Sequence, residues 1–414
     1  MVSRYNVPPM TKYGRSPWID QFPKSRVPSH PKHRGDMKAD VVVIGGGLTG
    51  CTTAYALAAA GFKTVLLEGA QLGRGTSAYS SGWIADEPAV PFHVVENAIG
   101  LRNARRAWQA WRRAALDFSA LLRRLDVKCN LEPRGSMTIA ATAEQTAPMV
   151  KDRKARKAAG LDVSSVNARA VKAETALEAL GGLKSREGAT IDPYRACVGL
   201  AAAAAERDAQ LFERSVVRRI TFTRKDAKVY TAGGSIHTRR IVIATGLPAG
   251  LFHSLARHFW FHTSFLVLTE AIPAKVRRSL GKPGVVVRDS AAPPHVVRWV
   301  GDDRLLVEGA DSALVPVRQR EKVSIQRTGQ LMYELSTLYP DVSGTQPEYG
   351  WMADYARTED GLPYIGAHRN FPHHLFAFGN SSHNVTAAYL ASRILVRQCS
   401  GEMDPADQAF GFHR

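Results

Sequence analysis

The chain has 414 residues, 45% of them apolar and 22% charged, and its 55 Lys+Arg against 37 Asp+Glu leave it at +18. Such a length supports roughly two to three domain-sized units with buried cores. The basic balance favours an anionic partner (an acidic substrate, a membrane surface or nucleic acid) or else reflects an arginine-rich solvated surface. No run of about 18 apolar residues exists, so no transmembrane segment is expected. The four cysteines, Cys51, Cys129, Cys197 and Cys399, are widely spaced and form no CxxC. That argues against a disulfide scaffold or a metal site and fits a reducing, cytoplasmic compartment.

Residues 1–37 are basic and rich in proline, without an apolar stretch or a twin-arginine pair. They read as an extended arm rather than a cleaved signal peptide. Ala39 to Ile44 is dominated by β-branched residues and suits a buried parallel strand. It breaks at Gly45-Gly46-Gly47-Leu48-Thr49-Gly50. An alanine-rich helix follows to Ala60, ended by Gly61, and Thr64–Leu67 reads as a second buried strand. Residues 71–84 read as a loop of Gly, Ser and Thr. Leu101–Leu125 reads as a long helix with Trp108, Trp111, Leu116 and Phe118 toward a core and many arginines on a solvated face. Helical composition resumes from Pro148 to Leu180 with a break at Gly160, and Asp192-Pro193 opens a helix through Ala205. Short strands are expected at 211–212, 217–223, 228–231 and 240–244, then at 266–268, 285–287, 296–299 and 305–307. Helix is expected at 318–338, a strand at 375–378, and a last helix at about 386–396.

Gly45-x-Gly47-x-x-Gly50 follows a strand, opens a helix and precedes a second strand that ends in Glu68. In that context it is a dinucleotide fingerprint. Gly45 permits the tight turn, Gly47 lets the backbone approach a pyrophosphate, and Gly50 lets helix pack on strand. The first-turn N–H groups at Leu48 and Thr49 then face phosphate charge. Glu68, 18 residues after Gly50 and followed by Gly69, can accept ribose hydroxyls and would repel a 2′-phosphate. The loop Gly73–Trp83 carries Arg74, Gly75, Thr76, Ser77, Ser80, Ser81 and Gly82. Its small hydroxyl and glycine residues suit a ribityl-phosphate chain and a flavin ring, which a nicotinamide enzyme does not need there.

With these residues in place, the sequence resembles the D-amino-acid oxidase/glycine oxidase superfamily of FAD-dependent oxidoreductases, nearest to its γ-glutamylputrescine-oxidase-like branch. The likeness also rests on Asp192–Arg195, Phe212–Ile220, Ile241–Gly246, Thr358–Gly366 and Phe378–Thr386. The resemblance implies an α/β fold, with a Rossmann-like FAD-binding domain (38–90, 150–250 and 350–400) and an interleaved, mostly antiparallel substrate domain (91–149 and 251–349). Residues 401–414 would form a tail. By the same resemblance Val217 holds the adenine, Thr245 and Gly246 lie near the dinucleotide, and Gly379, Asn380, His383, Asn384, Val385 and Thr386 face the flavin. Asn384 stands where the family has glycine. The cysteine through which sarcosine oxidases attach flavin has no counterpart in Trp351–Asp354, so non-covalent FAD is expected.

The implied chemistry is hydride removal from a carbon beside the nitrogen of a small amine or amino acid, with electrons passing to oxygen, a quinone or a protein carrier. Catalytic residues stay unassigned, with His262, Arg298, Arg357 and His383 as candidates. Either arginine could pair a substrate carboxylate. Tyr355 takes the register that glycine oxidases give to an arginine. Two alternatives remain: an FAD-dependent tRNA wobble-uridine enzyme and a non-catalytic flavin-binding protein. No RNA-binding module is recognisable, so nucleic acid is disfavoured as a partner.

Overall fold

In the computed structural model, which describes residues 10–248, 250–379 and 384–414, the run Val41–Ile44 is a strand whose four residues are all buried. It sits inside a six-stranded sheet ordered 210–212, 64–67, 41–44, 240–246, 371–378, 364–368. All neighbours are parallel except the last pair. A strand buried on both sides explains why the sequence here lacks alternation. Val41 and Val43 pack on a helical layer with Leu57, Leu200 and Leu395. Val42 and Ile44 pack on the other side with Val229 and Ile236, which belong to a four-stranded sheet. The result is three layers: helices, parallel sheet, meander.

The helices of the first layer start and stop where their sequence says. Leu48–Ala59 ends before Gly61, whose φ of +86° is a left-handed turn. Pro193–Ala205 begins with proline in its first turn, and the Asp192 side chain accepts the Arg195 N–H at 2.9 Å. Leu101–Arg124 buries Trp108, Trp111 and Phe118. Leu116 lies off that stripe and is 43% exposed, correcting its expected core position. Two arginines of its outer face are ion-paired on the surface, Arg112 with Glu187 and Arg113 with Asp117.

The second unit is a nine-stranded sheet ordered 12–13, 347–357, 260–269, 304–313, 296–300, 285–289, 135–140, 181–185, 164–167. Two of its eight pairings are parallel, 12–13 with 347–357 and 285–289 with 135–140. One face packs on helix Arg320–Leu338 through Leu331, Leu335, Phe265 and Val307. The other packs on Trp18, Ala78 and Tyr194 through Leu266, Leu306 and Trp351. The strands at 164–167, inside the stretch expected as helical, and at 181–185, just beyond it, flank helix Ala168–Thr175. They join this sheet rather than the parallel one, although 150–250 was expected as one FAD-side segment. Conversely, Leu101–Arg124 packs in the helical layer of the parallel sheet. Among the described residues, no helix is long and apolar enough to cross a membrane.

Residues 10–38 lie along the body. Lys12–Tyr13 extends the nine-stranded sheet, Trp18 is 6% exposed, and Met37–Lys38 joins the four-stranded sheet.

Candidate active site

The glycine turn follows Val41–Ile44 at the carboxyl ends of the parallel strands, where open α/β sheets place ligands. Gly45 has φ +110°, and a Cβ there would stand 2.5 Å from the Ala244 carbonyl oxygen. A Cβ on Gly50 would stand 1.8 Å from the Gly45 oxygen. Gly46, which the spacing rule treats as free, is as constrained: its Cβ would meet the Leu72 side chain at 2.3 Å and Glu68 Cβ at 2.9 Å. Only the packing of the loop after strand Thr64–Leu67 across the turn reveals that. The helix from Leu48 has no side-chain cap at Gly47.

This turn floors a cleft of about 610 Å³. Gly45, Gly47, Thr49, Glu68 and Gly69 line it from the first strands, and Gly75, Thr76 and Ser77 from the following loop. Val217, Thr245 and Gly246 close the far side. Gly46, Ser215, Val216 and Arg218 line it as well, beyond the sequence expectation. Leu48 is buried, and its N–H donates to Ser77 Oγ at 2.8 Å. The Glu68 carboxylate accepts the N–H groups of Gly46 and Ala70, each at 2.7 Å. Arg74 lines an adjoining cavity of about 570 Å³ together with Tyr13 and Arg320. Ser80, Ser81 and Gly82 continue as buried chain, with Ser80 Oγ donating to the Ser77 oxygen at 2.9 Å.

A further cavity of about 300 Å³ lies against Gly379, at the end of strand Phe371–Phe378. Its walls include Val90, Pro294 and Val296, and its polar residues include Ser264, Arg288, Glu308, Asp311 and Arg357. Asp311 organises one side. It accepts from Ser264 Oγ at 2.7 Å, from Arg357 at 2.9 Å and from the Tyr355 hydroxyl. Arg357, a candidate from the sequence, is thus on the cavity and partly committed. Arg288 is not committed: its Nε is buried, and the guanidinium makes no hydrogen bond among the described residues. Burial pulls its pKa down, with Glu87 and Asp289 opposing, and a guanidinium keeps its proton regardless. A buried guanidinium N–H without an acceptor is costly, and a ligand oxygen in the cavity would supply one.

Arg298, the other sequence candidate, is corrected. It is 3% exposed and donates to the carbonyls of Ser81 at 2.6 Å, Trp299 at 3.1 Å and Ile191 at 3.4 Å. Burial, with Arg134 nearby, lowers its pKa to about 9. His262 stacks on Tyr355 with ring centres 5.9 Å apart, and burial followed by Arg357 lowers its pKa. Asn380 and His383 lie outside the described residues. Asn384 opens the helix to Ser400. Val385 and Thr386 are buried, and the Thr386 hydroxyl donates to the Ala85 oxygen at 2.7 Å.

His295 braces the strand that carries Arg288. Its Nδ1 meets Asp289 at 2.6 Å and its Nε2 meets Glu334 at 3.0 Å, and the Asp289 hydrogen bond raises its pKa to about 9. Because the folded pKa exceeds the unfolded value, the stabilisation is full below about pH 6.5 and is lost as pH rises through about 9. It amounts to at most about 3 kcal/mol. Melting curves across that window should show a pH-dependent loss that His295→Gln removes. An identical pH dependence in the variant would contradict this.

A model of the DAO family, described as FAD dependent oxidoreductase, matches residues 40–398. The probable oxidoreductase OrdL of Haemophilus influenzae is 26% identical over 374 residues, 88% of this chain and 83% of that protein. Gamma-glutamylputrescine oxidoreductase of Escherichia coli is 26% identical over 372 residues, 89% of this chain and 85% of its own length. Among solved structures, glycine oxidase from Geobacillus kaustophilus superposes with a TM-score of 0.71 at 20% identity, over 91% of this chain and 99% of that one. L-proline dehydrogenase from P. horikoshii gives 0.71 at 18% identity, over 92% and 97%.

Proposed function

The chain belongs to the DAO family of FAD-dependent oxidoreductases, and on that premise we propose that it oxidises the C–N bond of a small amino acid or carboxylated amine. The observation that carries the substrate class is Arg288, an unpaired guanidinium in the wall of a closed-in cavity beside Gly379. A carboxylate is the partner that fits its planar fork.

The cleft fits FAD: its glycine floor admits no Cβ at Gly45 or Gly50, and the helix from Leu48 starts at it, with the Leu48 N–H already bonded to Ser77 Oγ. Gly45–Thr49 would hold the pyrophosphate, Glu68 the adenosine ribose and Val217 the adenine. When bound, FAD supplies the hydride acceptor. The protein does the rest. Arg288 and Arg357 hold the substrate carboxylate. Asp311 fixes Arg357 and the Tyr355 hydroxyl, so neither needs to reorganise. Val90, Pro294 and Val296 exclude water around the reacting carbon. The reacting amine must be neutral, and an apolar wall favours that form. Activity should therefore rise with pH as the bound amine deprotonates.

Among the described residues, none of the four cysteines lines the cleft or the cavity beside Gly379, which supports a non-covalent flavin. Purified protein should be yellow, and acid precipitation should leave the pellet colourless and the supernatant yellow. Anaerobic addition of an amine and amino-acid panel should bleach the visible flavin band. A yellow protein that no member of the panel bleaches would overturn the proposed activity.

A further inference from the structure

Four consecutive carbonyl oxygens in the loop after Ser77 are spent on side chains from elsewhere in the chain. Ser16 Oγ donates to Ala78 O. Trp351 Nε1 donates to Tyr79 O at 3.0 Å, and Trp18 Nε1 to Ser80 O at 3.0 Å. Arg298 Nε donates to Ser81 O at 2.6 Å. The donors come from three places: the N-terminal arm, strand Pro347–Arg357 and strand Val296–Val300. All four are buried, none more than 6% exposed. They also hold one another, since Arg298 lies over the Trp18 ring at 5.2 Å and both tryptophans share one apolar cluster with Ala78. None of the four lines the cleft, whereas Thr76 and Ser77, immediately before the clamped stretch, do.

We propose that Ser16, Trp18, Trp351 and Arg298 are positioning residues for the flavin, a clamp that turns the negative ends of the Ala78–Ser81 peptides away from the cofactor. The inference rests on the FAD reading of the cleft and adds the N-terminal arm to the cofactor site. A diphosphate and a reduced flavin are both anionic, and peptide oxygens aimed at them would repel in a dry site. A carbonyl held by a buried donor cannot swing round. Peptide dipoles fixed in advance also cost no reorganisation when charge arrives on the ring.

The test uses the full-length protein with single substitutions that remove one donor each. Trp18→Phe and Trp351→Phe keep a ring and lose only the indole N–H, the sole donor of that side chain. Ser16→Ala removes one hydroxyl with little change in packing. Three quantities are read: the FAD dissociation constant of the apoprotein, the midpoint potential of the bound flavin and the melting temperature of the apoprotein. Each variant should bind FAD at least about fivefold more weakly, the equivalent of one net hydrogen bond. Its potential should fall, because a freed carbonyl disfavours the anionic reduced ring. Combining Trp18→Phe with Trp351→Phe should weaken binding further. Binding within twofold of the unmodified protein, with an unchanged potential and a lowered melting temperature, would mean that the bonds only satisfy buried carbonyls, and would overturn the clamp. Should a tryptophan variant not fold, Ser16→Ala decides. Failure of the unmodified protein to take up FAD would instead overturn the reading of the cleft.

Discussion

Gly50→Ala is expected to yield protein without flavin. The added Cβ would stand 1.8 Å from the Gly45 carbonyl oxygen, which is backbone and cannot rotate away. Helix Leu48–Ala59 would have to lift from strand Val41–Ile44, and that contact is shared by the helical layer behind it. Overpacking a core usually costs about 1–3 kcal/mol, and a backbone clash belongs at or beyond the upper end. The same displacement carries the first-turn N–H groups off the pyrophosphate position, so FAD affinity should fall by at least about a hundredfold. Gly329→Ala provides the control. Gly329 lies in helix Arg320–Leu338, is not among the residues lining the cleft, and a Cβ there meets nothing within 4 Å. It should purify yellow, with a melting temperature close to the parent. Visible absorbance relative to protein and thermal melts read both variants. A fully flavinated Gly50→Ala would refute the packing argument.

Arg288→Met is expected to split stability from activity. The guanidinium has no hydrogen-bond partner among the described residues, and its Nε is buried. Exchanging a partly buried cation whose Nε lacks a hydrogen-bond partner for an apolar side chain of similar length should leave the melting temperature close to the parent or raise it. Oxidation of amino acids should nonetheless fall by at least about a hundredfold in kcat/KM, through loss of a charge-assisted bidentate contact worth about 3 kcal/mol. Amines without a carboxylate should lose much less. Arg288→Lys should recover only part of the activity, because an ammonium cannot bind both carboxylate oxygens in the plane of a fork. An unchanged KM for amino acids would remove Arg288 from the substrate site.

The cleft was legible from sequence because its constraints are local. Gly45, Gly47, Gly50 and Glu68 sit within one strand–helix–strand unit, where spacing alone fixes neighbours. The helix bearing Trp108, Trp111 and Phe118 was legible for the same reason, from its 3.6-residue stripe. The substrate side was not. Arg288 and Arg298 both sit in short β-branched runs, and nothing nearby distinguishes them. Arg298 is buried by Trp18 of the arm and bonded to Ser81, while Arg288 reaches a cavity also walled by Val90 and Gly361. Those neighbours come from distant segments, and strand register decides which arginine meets them. Gly46 was hidden differently, since its constraint comes from Leu72 packing across the turn. The short strand at 164–167 was hidden because it is polar and mostly exposed and lies between helices Ala143–Ala158 and Ala168–Thr175, whose composition blurs into its own.

The order of the parallel sheet has a consequence for synthesis on the ribosome. Strand Arg240–Gly246 pairs with Val41–Ile44 on one side and with Phe371–Phe378 on the other. At translation speeds of about 5–20 residues per second, its second edge stays bare for roughly 6 to 25 seconds while the intervening chain is made. During that interval the backbone N–H and C=O groups on that side of Arg240–Gly246 stand unpaired, the kind of template that recruits neighbouring nascent chains. Closing the dinucleotide sheet is therefore a late event in biogenesis, and holdase chaperones have a defined window in which to act on it.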